Sequence, residues 1–363
     1  MPLLFGDPAP AFIAPGKSNP RYVFSSVAGR YVAVAFLPRD DAAAMRAALE
    51  AVRGARRLFD DASRCFFGVL RDPEAFAAVQ DEPPGVRWLH DVDGGIAGQW
   101  EVGAPQWIVL DPTLRVLFTA PLDQSGKVME RLAGLPAVND HAGVPLTAPV
   151  LVAPRIFEPE LCRRLIDYYE AVGGAPSGFM REVNGQTVVA MDPNHKKRSD
   201  VTIDDEGLRN MIRVRMRRRL TPLIHQAFQF EPSRMERYIV ACYDAEEGGF
   251  FRPHRDNTTK GTAHRRFAVS INLDAEAHEG GDLRFPEFGD RTYRPPTGGA
   301  VVFSCSLLHE ATPVTAGRRY AFLPFLYDEA AARVREANAG FLEARLQGYR
   351  AGAPADAPGA DAS

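Results

Sequence analysis

Hydrophobic residues in the first third of the chain come in short runs of strand length, alternating with stretches of helical spacing. Residues 31–37 (Tyr-Val-Ala-Val-Ala-Phe-Leu) and 65–70 (Cys-Phe-Phe-Gly-Val-Leu) are almost uninterrupted apolar runs, as in strands buried on both faces. Between them, residues 41–59 recur at helical spacing behind an aspartate, whose side chain can accept from the N–H groups of a first turn. A second helix is expected near 73–80, and further strands at 107–111 and 116–119. Strand and helix in alternation predict an α/β domain with a central sheet over residues 1–135.

After residue 135 the pattern changes. Residues 136–147 are rich in Gly and Pro and read as a linker. A second domain, 148–328, opens with an apolar run at 150–157, and a helix follows from Glu158, where early acidic residues suit the positive end of the dipole. Leu161, Leu165, Ile166 and Tyr169 keep its stripe. Residues 206–228 predict a long helix kinked near Pro222, with Leu208, Ile212, Met216, Leu220, Leu223 and Ala227 facing a sheet. From Tyr238 onward, short apolar segments at 238–243, 266–273, 282–285, 300–304 and 319–326 are parted by Gly- and Pro-rich turns. This pattern predicts an antiparallel two-sheet jelly roll. Residues 329–350 read as a charged amphipathic helix and 351–363 as a disordered tail. The polar stretch 177–200, with an Asn-Gly turn between strand-like runs, is either a surface hairpin or a lid over a site in the barrel; His195 within it is expected to be exposed.

A length of 363 residues agrees with two domains, since single cores rarely grow so large. Hydrophobic content of 45% and charged content of 25% are ordinary for globular chains, and a formal net charge of −3 gives no general attraction for nucleic acid. Against that charge, Arg209, Arg213, Arg215, Arg217, Arg218 and Arg219 read as a solvated helix face. No run approaches the roughly 18 apolar residues of a membrane span, and the N-terminal residues lack the basic and apolar parts of a secretory signal. A cytoplasmic protein is the expectation. Cys65, Cys162, Cys242 and Cys305 are widely spaced in apolar segments and predict reduced, buried thiols.

Candidate chemistry gathers in the second domain. His254 and Asp256 stand two apart in Phe-Phe-Arg-Pro-His-Arg-Asp-Asn, and His309 ends an apolar run. On a strand, residues i and i+2 share a face, so the first two can reach one metal while a third ligand arrives from a neighbouring strand. Two imidazoles and a carboxylate cover one face of an octahedral iron and leave the opposite positions open. Alone, such a short motif is a weak signal. Arg319 on the following strand adds to it, because a guanidinium suits the far carboxylate of a dicarboxylate that chelates iron through its 2-oxo acid end. Alternation should turn Arg319 into the barrel and Arg318 to solvent.

Taken in order, Ala-Cys-Tyr243, His254-Arg-Asp256, Arg-Phe-Ala-Val-Ser-Ile-Asn-Leu, Glu-Gly-Gly-Asp-Leu-Arg-Phe, Gly-Gly-Ala-Val-Val-Phe and His309 with Arg319 behind it resemble the Fe(II)- and 2-oxoglutarate-dependent dioxygenases, in their prolyl 4-hydroxylase-like branch. The resemblance implies Fe(II) held by His254, Asp256 and His309, and 2-oxoglutarate fixed by Arg319 with a hydrogen bond from Tyr243. It places Asn272 facing the site and admits L-ascorbate as a reductant. It implies hydroxylation by dioxygen, with release of succinate and carbon dioxide, of a prolyl residue in a protein or peptide, or of a free amino acid or other small molecule. Asp256 argues against halogenation, for which related enzymes lose that carboxylate, and cupin-like sites usually use more histidines.

Residues 1–135 resemble the thioredoxin fold in its peroxiredoxin branch, through Gly6-Asp-Pro-Ala-Pro-Ala-Phe, Val34-Ala-Phe-Leu-Pro-Arg-Asp and Ala104-Pro105-Gln-Trp-Ile-Val-Leu-Asp-Pro. The resemblance puts Pro105 where that fold has a cis-proline. A peroxiredoxin sets its attacking cysteine at the start of the helix that follows the first core strand, where backbone N–H groups stabilise a thiolate. Here that segment is Arg39-Asp-Asp-Ala-Ala-Ala-Met-Arg, and Cys65 belongs to a different strand. No catalytic cysteine is expected, and the domain reads as a scaffold or recognition module in preference to a redox protein.

Overall fold

A computed structural model describes residues 1–38 and 41–343. They form two compact units, Met1–Ala148 with Phe285–Arg291, and Pro149–Arg284 with the chain from Thr292 onward. The expected tail at 351–363 lies outside the described residues. Among the described residues, no helix is long and apolar enough to cross a membrane.

In the first unit, five strands lie in the order Val86–His90, Arg64–Leu70, Tyr31–Phe36, Gln106–Leu110 and Val116–Pro121. The first three run parallel and the last two antiparallel to their neighbours. Every residue of the central strand Tyr31–Phe36 is buried, which is why its pattern shows no alternation. Asp41 accepts from the Ala43 and Ala44 N–H groups, at 3.0 and 2.9 Å, and so starts the helix Ala42–Gly54. The later helix Ser125–Ala133 buries Val128, Met129 and Leu132. This is a thioredoxin-like α/β arrangement.

Three expectations for this unit need correction. The helix expected to reach residue 59 ends at Gly54, and a 3-10 turn, Arg56–Leu58, follows it. A short helix, Gly95–Gln99, forms where none was expected, because buried Asp91 accepts from the Ile96 and Ala97 N–H groups at 2.8 and 3.0 Å. The peptide bond before Pro105 is trans, and among the described residues the cis bond is Pro83–Pro84. Pro105 is exposed at the entry to a strand, where the ordinary trans form serves.

The second unit is a jelly roll of two antiparallel sheets. The larger orders Arg234–Glu236, Phe325–Tyr327, Phe267–Asn272, Val314–Phe322, Ile239–Asp244, Ser199–Thr202 and Ala175–Pro176, with Ala300–Ser304 pairing Phe267–Asn272. The smaller orders Lys196–Lys197, Phe250–His254, His309–Ala311, Leu283–Arg284 and Thr292–Tyr293. The helix Pro159–Val172 contributes Leu161, Leu165 and Tyr169 to one core with Val240, Ile271, Val302 and Phe322 of the larger sheet. The strand expected at 319–326 begins earlier and breaks at Leu323-Pro324, since Pro324 has no ladder donor. Of the helix expected over 329–350, Glu329–Ala337 is α-helical and a 3-10 turn, Ala339–Phe341, follows, while 344–350 lie outside the described residues.

The long helix is interrupted just before Pro222, where the kink is expected. Glu206–Arg215 and Thr221–Phe228 are α-helical, and Met216–Leu220 between them is a π-helical turn. Pro222 has no N–H for the carbonyl four residues back, and a wider turn accommodates the loss. The extra residue in that turn shifts the buried face. Leu208, Ile212, Met216, Leu220 and Ile224 are buried at a strict spacing of four, while Leu223 is half-buried and Ala227 exposed. Its arginines are less solvated than composition suggests. Arg215 and Arg219 both reach Glu158, Arg215 Nε at 3.0 Å and Arg219 Nη1 at 2.6 Å, and Arg213 pairs with Glu206 at 2.6 Å.

Candidate metal centre

The strand Phe250–His254 runs antiparallel beside His309–Ala311, with His254 directly opposite His309. Asp256 lies in the turn just beyond the strand, not on it. Its backbone N–H donates to the Cys305 carbonyl at 3.0 Å, which prolongs strand-like spacing and brings the carboxylate to the histidines' face. His309 likewise begins a strand of its own, because residues 305–308 turn the chain after Ala300–Ser304.

Ligand atoms of His254, Asp256 and His309 all lie within 4.8 Å of one another. Asp256 Oδ1 is 3.6 Å from His254 Nε2, and Oδ2 is 3.3 Å from His309 Nε2. The Nδ1 of each ring meets a main-chain carbonyl, that of Arg252 at 2.8 Å for His254 and that of Leu307 at 3.0 Å for His309. A carbonyl only accepts, so each ring carries its proton on Nδ1 and turns Nε2 toward the carboxylate, the tautomer that metal ligation needs. Phe251 stacks on His254 with centroids 3.5 Å apart, and Phe303 packs against His309 at 4.5 Å. Burial, aided by His309, pushes His254 down to about 4. Burial alone would raise Asp256, but the two histidines, His309 foremost, outweigh it and hold the carboxyl well below its usual range. A donor set with a neutral imidazole and an ionised carboxylate fits a divalent metal.

Val314–Phe322 pairs with Ile239–Asp244 so that Arg319 lies opposite Tyr243, and Arg318 opposite Asp244. Arg319 and Tyr243 are each 3% exposed, whereas Arg318 points outward and donates to Asp244 at 2.7 Å. Inside, Arg319 Nη2 donates to Ser270 Oγ at 2.8 Å, and the guanidinium lies 5.2 Å from the centre of the Tyr243 ring. The Tyr243 hydroxyl accepts from Arg198 Nη1 at 3.3 Å. Among the described residues, no carboxylate pairs with Arg319. Burial lowers its pKa from the ordinary value, yet a guanidinium stays charged at neutral pH.

His254, Asp256, His309, Tyr243 and Arg319 line one cavity. Asn272 does not. Its amide oxygen lies 3.4 Å from Arg319 Nε and its amide nitrogen donates to the Pro295 carbonyl at 3.0 Å, so it stands behind Arg319 and orients it. Sequence reasoning missed two other residues on the wall, Arg198 and Arg237. The available signal was the alternation of Lys196, Arg198 and Asp200 in a strand-like polar stretch. His195, expected to be exposed, is half-buried between Phe179 at 4.5 Å and Phe251 at 5.5 Å. It packs the hairpin Phe179–Val183 and Gln186–Ala190 onto the strand bearing His254.

Among its described residues, the first unit holds no comparable cluster. Cys65 is fully buried in Arg64–Leu70, and burial pushes its thiol up to about 12. All four cysteines are free and buried.

Comparison with known proteins follows the same division. Residues 238–327, which include Tyr243, His254, Asp256, His309 and Arg319, match the 2OG-Fe(II) oxygenase superfamily. A PKHD-type hydroxylase of Pseudomonas fluorescens is 38% identical over 91 residues, 23% of this chain and 39% of that protein. The chain thus spans well under half the length of such curated relatives. Among solved structures, a Pseudomonas putida prolyl-4-hydroxylase is similar over 52% of this chain and 95% of its own, at 18% identity and a TM-score of 0.37. A peroxidoxin of Mycobacterium tuberculosis is similar over 37% of this chain and 99% of its own, at 19% identity and a TM-score of 0.32. Residues 238–327 are therefore a 2OG-Fe(II) oxygenase domain, and the barrel strands that bring His254 beside His309 belong to it.

Proposed function

We propose that the chain is an Fe(II)- and 2-oxoglutarate-dependent hydroxylase that acts through its second unit. One observation carries this reading: the ligand set His254, Asp256 and His309 shares a cavity with a buried guanidinium, Arg319, that pairs with no carboxylate among the described residues. An unpaired buried charge costs several kcal/mol, on the order of 3–5, so a site that keeps one is built for a ligand of opposite sign. 2-Oxoglutarate suits both centres, offering a chelating 2-oxo acid at one end and a carboxylate for the guanidinium fork at the other.

When bound, iron and 2-oxoglutarate supply with dioxygen the oxidising power for hydroxylation, and the cosubstrate leaves as succinate and carbon dioxide. The chain's own residues hold and orient. His254, Asp256 and His309 would hold the metal, all three from one side of the cavity. The Arg252 and Leu307 carbonyls keep the Nδ1 protons in place, so both Nε2 atoms stay turned inward. Ser270 and Asn272 fix the direction of Arg319, and the Tyr243 hydroxyl offers its proton toward the cosubstrate. Phe251 and Phe303 keep the wall apolar; Phe179 of the hairpin packs near Phe251, and in this reading the hairpin is the lid that excludes water.

Motif likeness favours a prolyl residue of a protein or peptide as substrate, with L-ascorbate as reductant and a cytoplasmic setting. In this reading residues 148–328 are the oxygenase domain, 136–147 a linker, and 1–135 a scaffold or recognition module. The test is succinate formation from 2-oxoglutarate by the full chain, with and without Fe(II), followed by mass spectrometry of cell extract for a gain of one oxygen. Absence of metal-dependent succinate under aerobic conditions would sink the proposal.

A further inference from the structure

Positive charge on the cavity wall exceeds what the metal ligands and Arg319 explain. Arg198 and Arg237 also line it, and they share a single carboxylate, Asp200. Arg198 grips that carboxylate with Nε and Nη2 at 2.7 and 2.6 Å. Ser177 Oγ donates to the same Oδ2 at 2.5 Å. Arg237 reaches it only at 3.4 Å, and its guanidinium makes no other hydrogen bond among the described residues. Beside them, buried Lys196 donates to Ser177 Oγ and the Gly178 carbonyl. Two guanidiniums thus share one acid, while burial holds the Lys196 amine well below its usual range.

The backbone points the same way. Arg237 has φ 67°, in the left-handed region that residues with a side chain rarely occupy. Its neighbours Glu236 and Tyr238 are both buried, which pins the chain on either side. Conformations held against preference concentrate at ligand sites.

We propose that Arg237, backed by Arg198, forms a second anion subsite in this cavity, and that the substrate carries a carboxylate that Arg237 receives. This rests on the reading of the cavity as a 2-oxoglutarate-dependent hydroxylase site. There the dianionic cosubstrate answers the metal and Arg319, and nothing of it remains for the cluster around Asp200. A planar guanidinium with unused donors, lying 5.4 Å from the Phe325 ring centre, presents an edge that matches two carboxylate oxygens. The carboxylate is either the terminal one of a small acid or an acidic side chain beside the reacting residue of a peptide.

Calorimetric titration of the full chain loaded with Zn(II) and 2-oxoglutarate tests this without turnover. The probes are N-acetyl-L-proline against N-acetyl-L-prolinamide, and acetyl-Asp-Pro-amide against acetyl-Asn-Pro-amide. At least one acid should bind about tenfold or more tighter than its neutral counterpart. The pair that shows the preference identifies the source of the carboxylate. Arg237→Gln should erase the preference and leave 2-oxoglutarate affinity within about twofold, since glutamine at the same φ carries the same backbone strain and lacks only the charge. Arg318→Gln, the same charge change on the outer surface, should keep it. Equal binding of acids and amides, or no binding by either acid, overturns the proposal in the unmodified chain, so the decision does not depend on a variant that folds. A preference that survives Arg237→Gln while 2-oxoglutarate weakens would reassign Arg237 to the cosubstrate. Failure of 2-oxoglutarate itself to bind overturns the hydroxylase reading, and this one with it.

Discussion

Cys65 in the first unit and Asp256 in the second are both shielded from water, and their surroundings drive them in opposite directions. Cys65 lies in an apolar strand where burial dominates and pushes the thiol up to about 12, so it remains protonated at neutral pH. Asp256 meets two imidazoles at 3.6 and 3.3 Å, and these hold it ionised despite burial. A buried group that stands alone is neutralised, whereas one supplied with counter-charges is kept in its reactive form. A second contrast lies in the backbone. The N–H groups at the start of Ala42–Gly54, which a thiolate would need, are taken by Asp41 as a helix cap. In the first unit these donor groups serve structure.

The largest effects should come from breaking the ionised cluster. His254→Ala, Asp256→Ala and His309→Ala each remove one corner of the facial set, and succinate formation should fall to background in all three, with loss of bound iron measured by elemental analysis. Full activity in any one of them would move the ligand assignment elsewhere.

Next in size is the separation of two adjacent arginines. Arg319→Ala leaves the far carboxylate of 2-oxoglutarate without its buried partner, and its KM should rise by at least about thirtyfold. Arg318 pairs at the surface with Asp244, so Arg318→Ala should shift that KM by less than about twofold. Steady-state succinate assays over a range of 2-oxoglutarate decide between them, and a larger defect in Arg318→Ala would contradict the observed strand register.

Much of this arrangement is legible in the sequence, for a physical reason in each case. His254 and Asp256 can be paired because their two-residue spacing outlives the strand, carried on by the Asp256 N–H bond to Cys305. The directions of Arg319 and Arg318 follow from alternation within a nine-residue strand. In the first unit, uninterrupted apolar runs announce a central sheet. Alternation of Lys196, Arg198 and Asp200 gives only a weak signal for Arg198, and none for Arg237. Arg198 sits where Lys196–Lys197 of one sheet gives way to Ser199–Thr202 of the other, and neither fragment is long enough to establish a face. Arg237, with φ 67°, interrupts the alternation between Glu236 and Tyr238. The phase of Ile224 is hidden because it depends on a π turn that no hydrophobic pattern announces. Asn272 shows a further limit, since the family resemblance places it facing the site without telling whether it meets the cavity or stands behind Arg319.

A smaller effect tests counter-charge at the surface of the second unit. Glu158 accepts from Arg215 and Arg219, and the Arg215 hydrogen bond is the chief reason its carboxyl falls from 4.5 to about 2. A depressed carboxylate stabilises fully above its unfolded pKa and loses that contribution as pH falls through the folded value. Glu158→Gln should therefore lower stability by about 1 kcal/mol at pH 7, a modest figure because the pair is partly solvated. The gap between variant and parent in thermal unfolding should narrow from pH 4.5 toward about 2. A gap independent of pH would assign the effect to packing.

The smallest effect expected is none, and it bears on the first unit. Thiol peroxidase chemistry needs a thiolate that hydroperoxide can reach. Cys65 has neither the charge nor the access, being fully buried with its thiol pushed up to about 12. Asp41 holds the helix start where an attacking cysteine would belong. The full chain should show no hydroperoxide reduction with any thiol donor. Cys65→Ser should leave both that baseline and metal-dependent succinate formation unchanged, provided the serine is tolerated in the core, which circular dichroism checks. In the folded parent, a disulfide reagent should label Cys65 no faster than the chain unfolds, because exposure must come first. Fast labelling of Cys65, or peroxide turnover lost in Cys65→Ser, would mean that the strand opens and that the first unit retains redox chemistry.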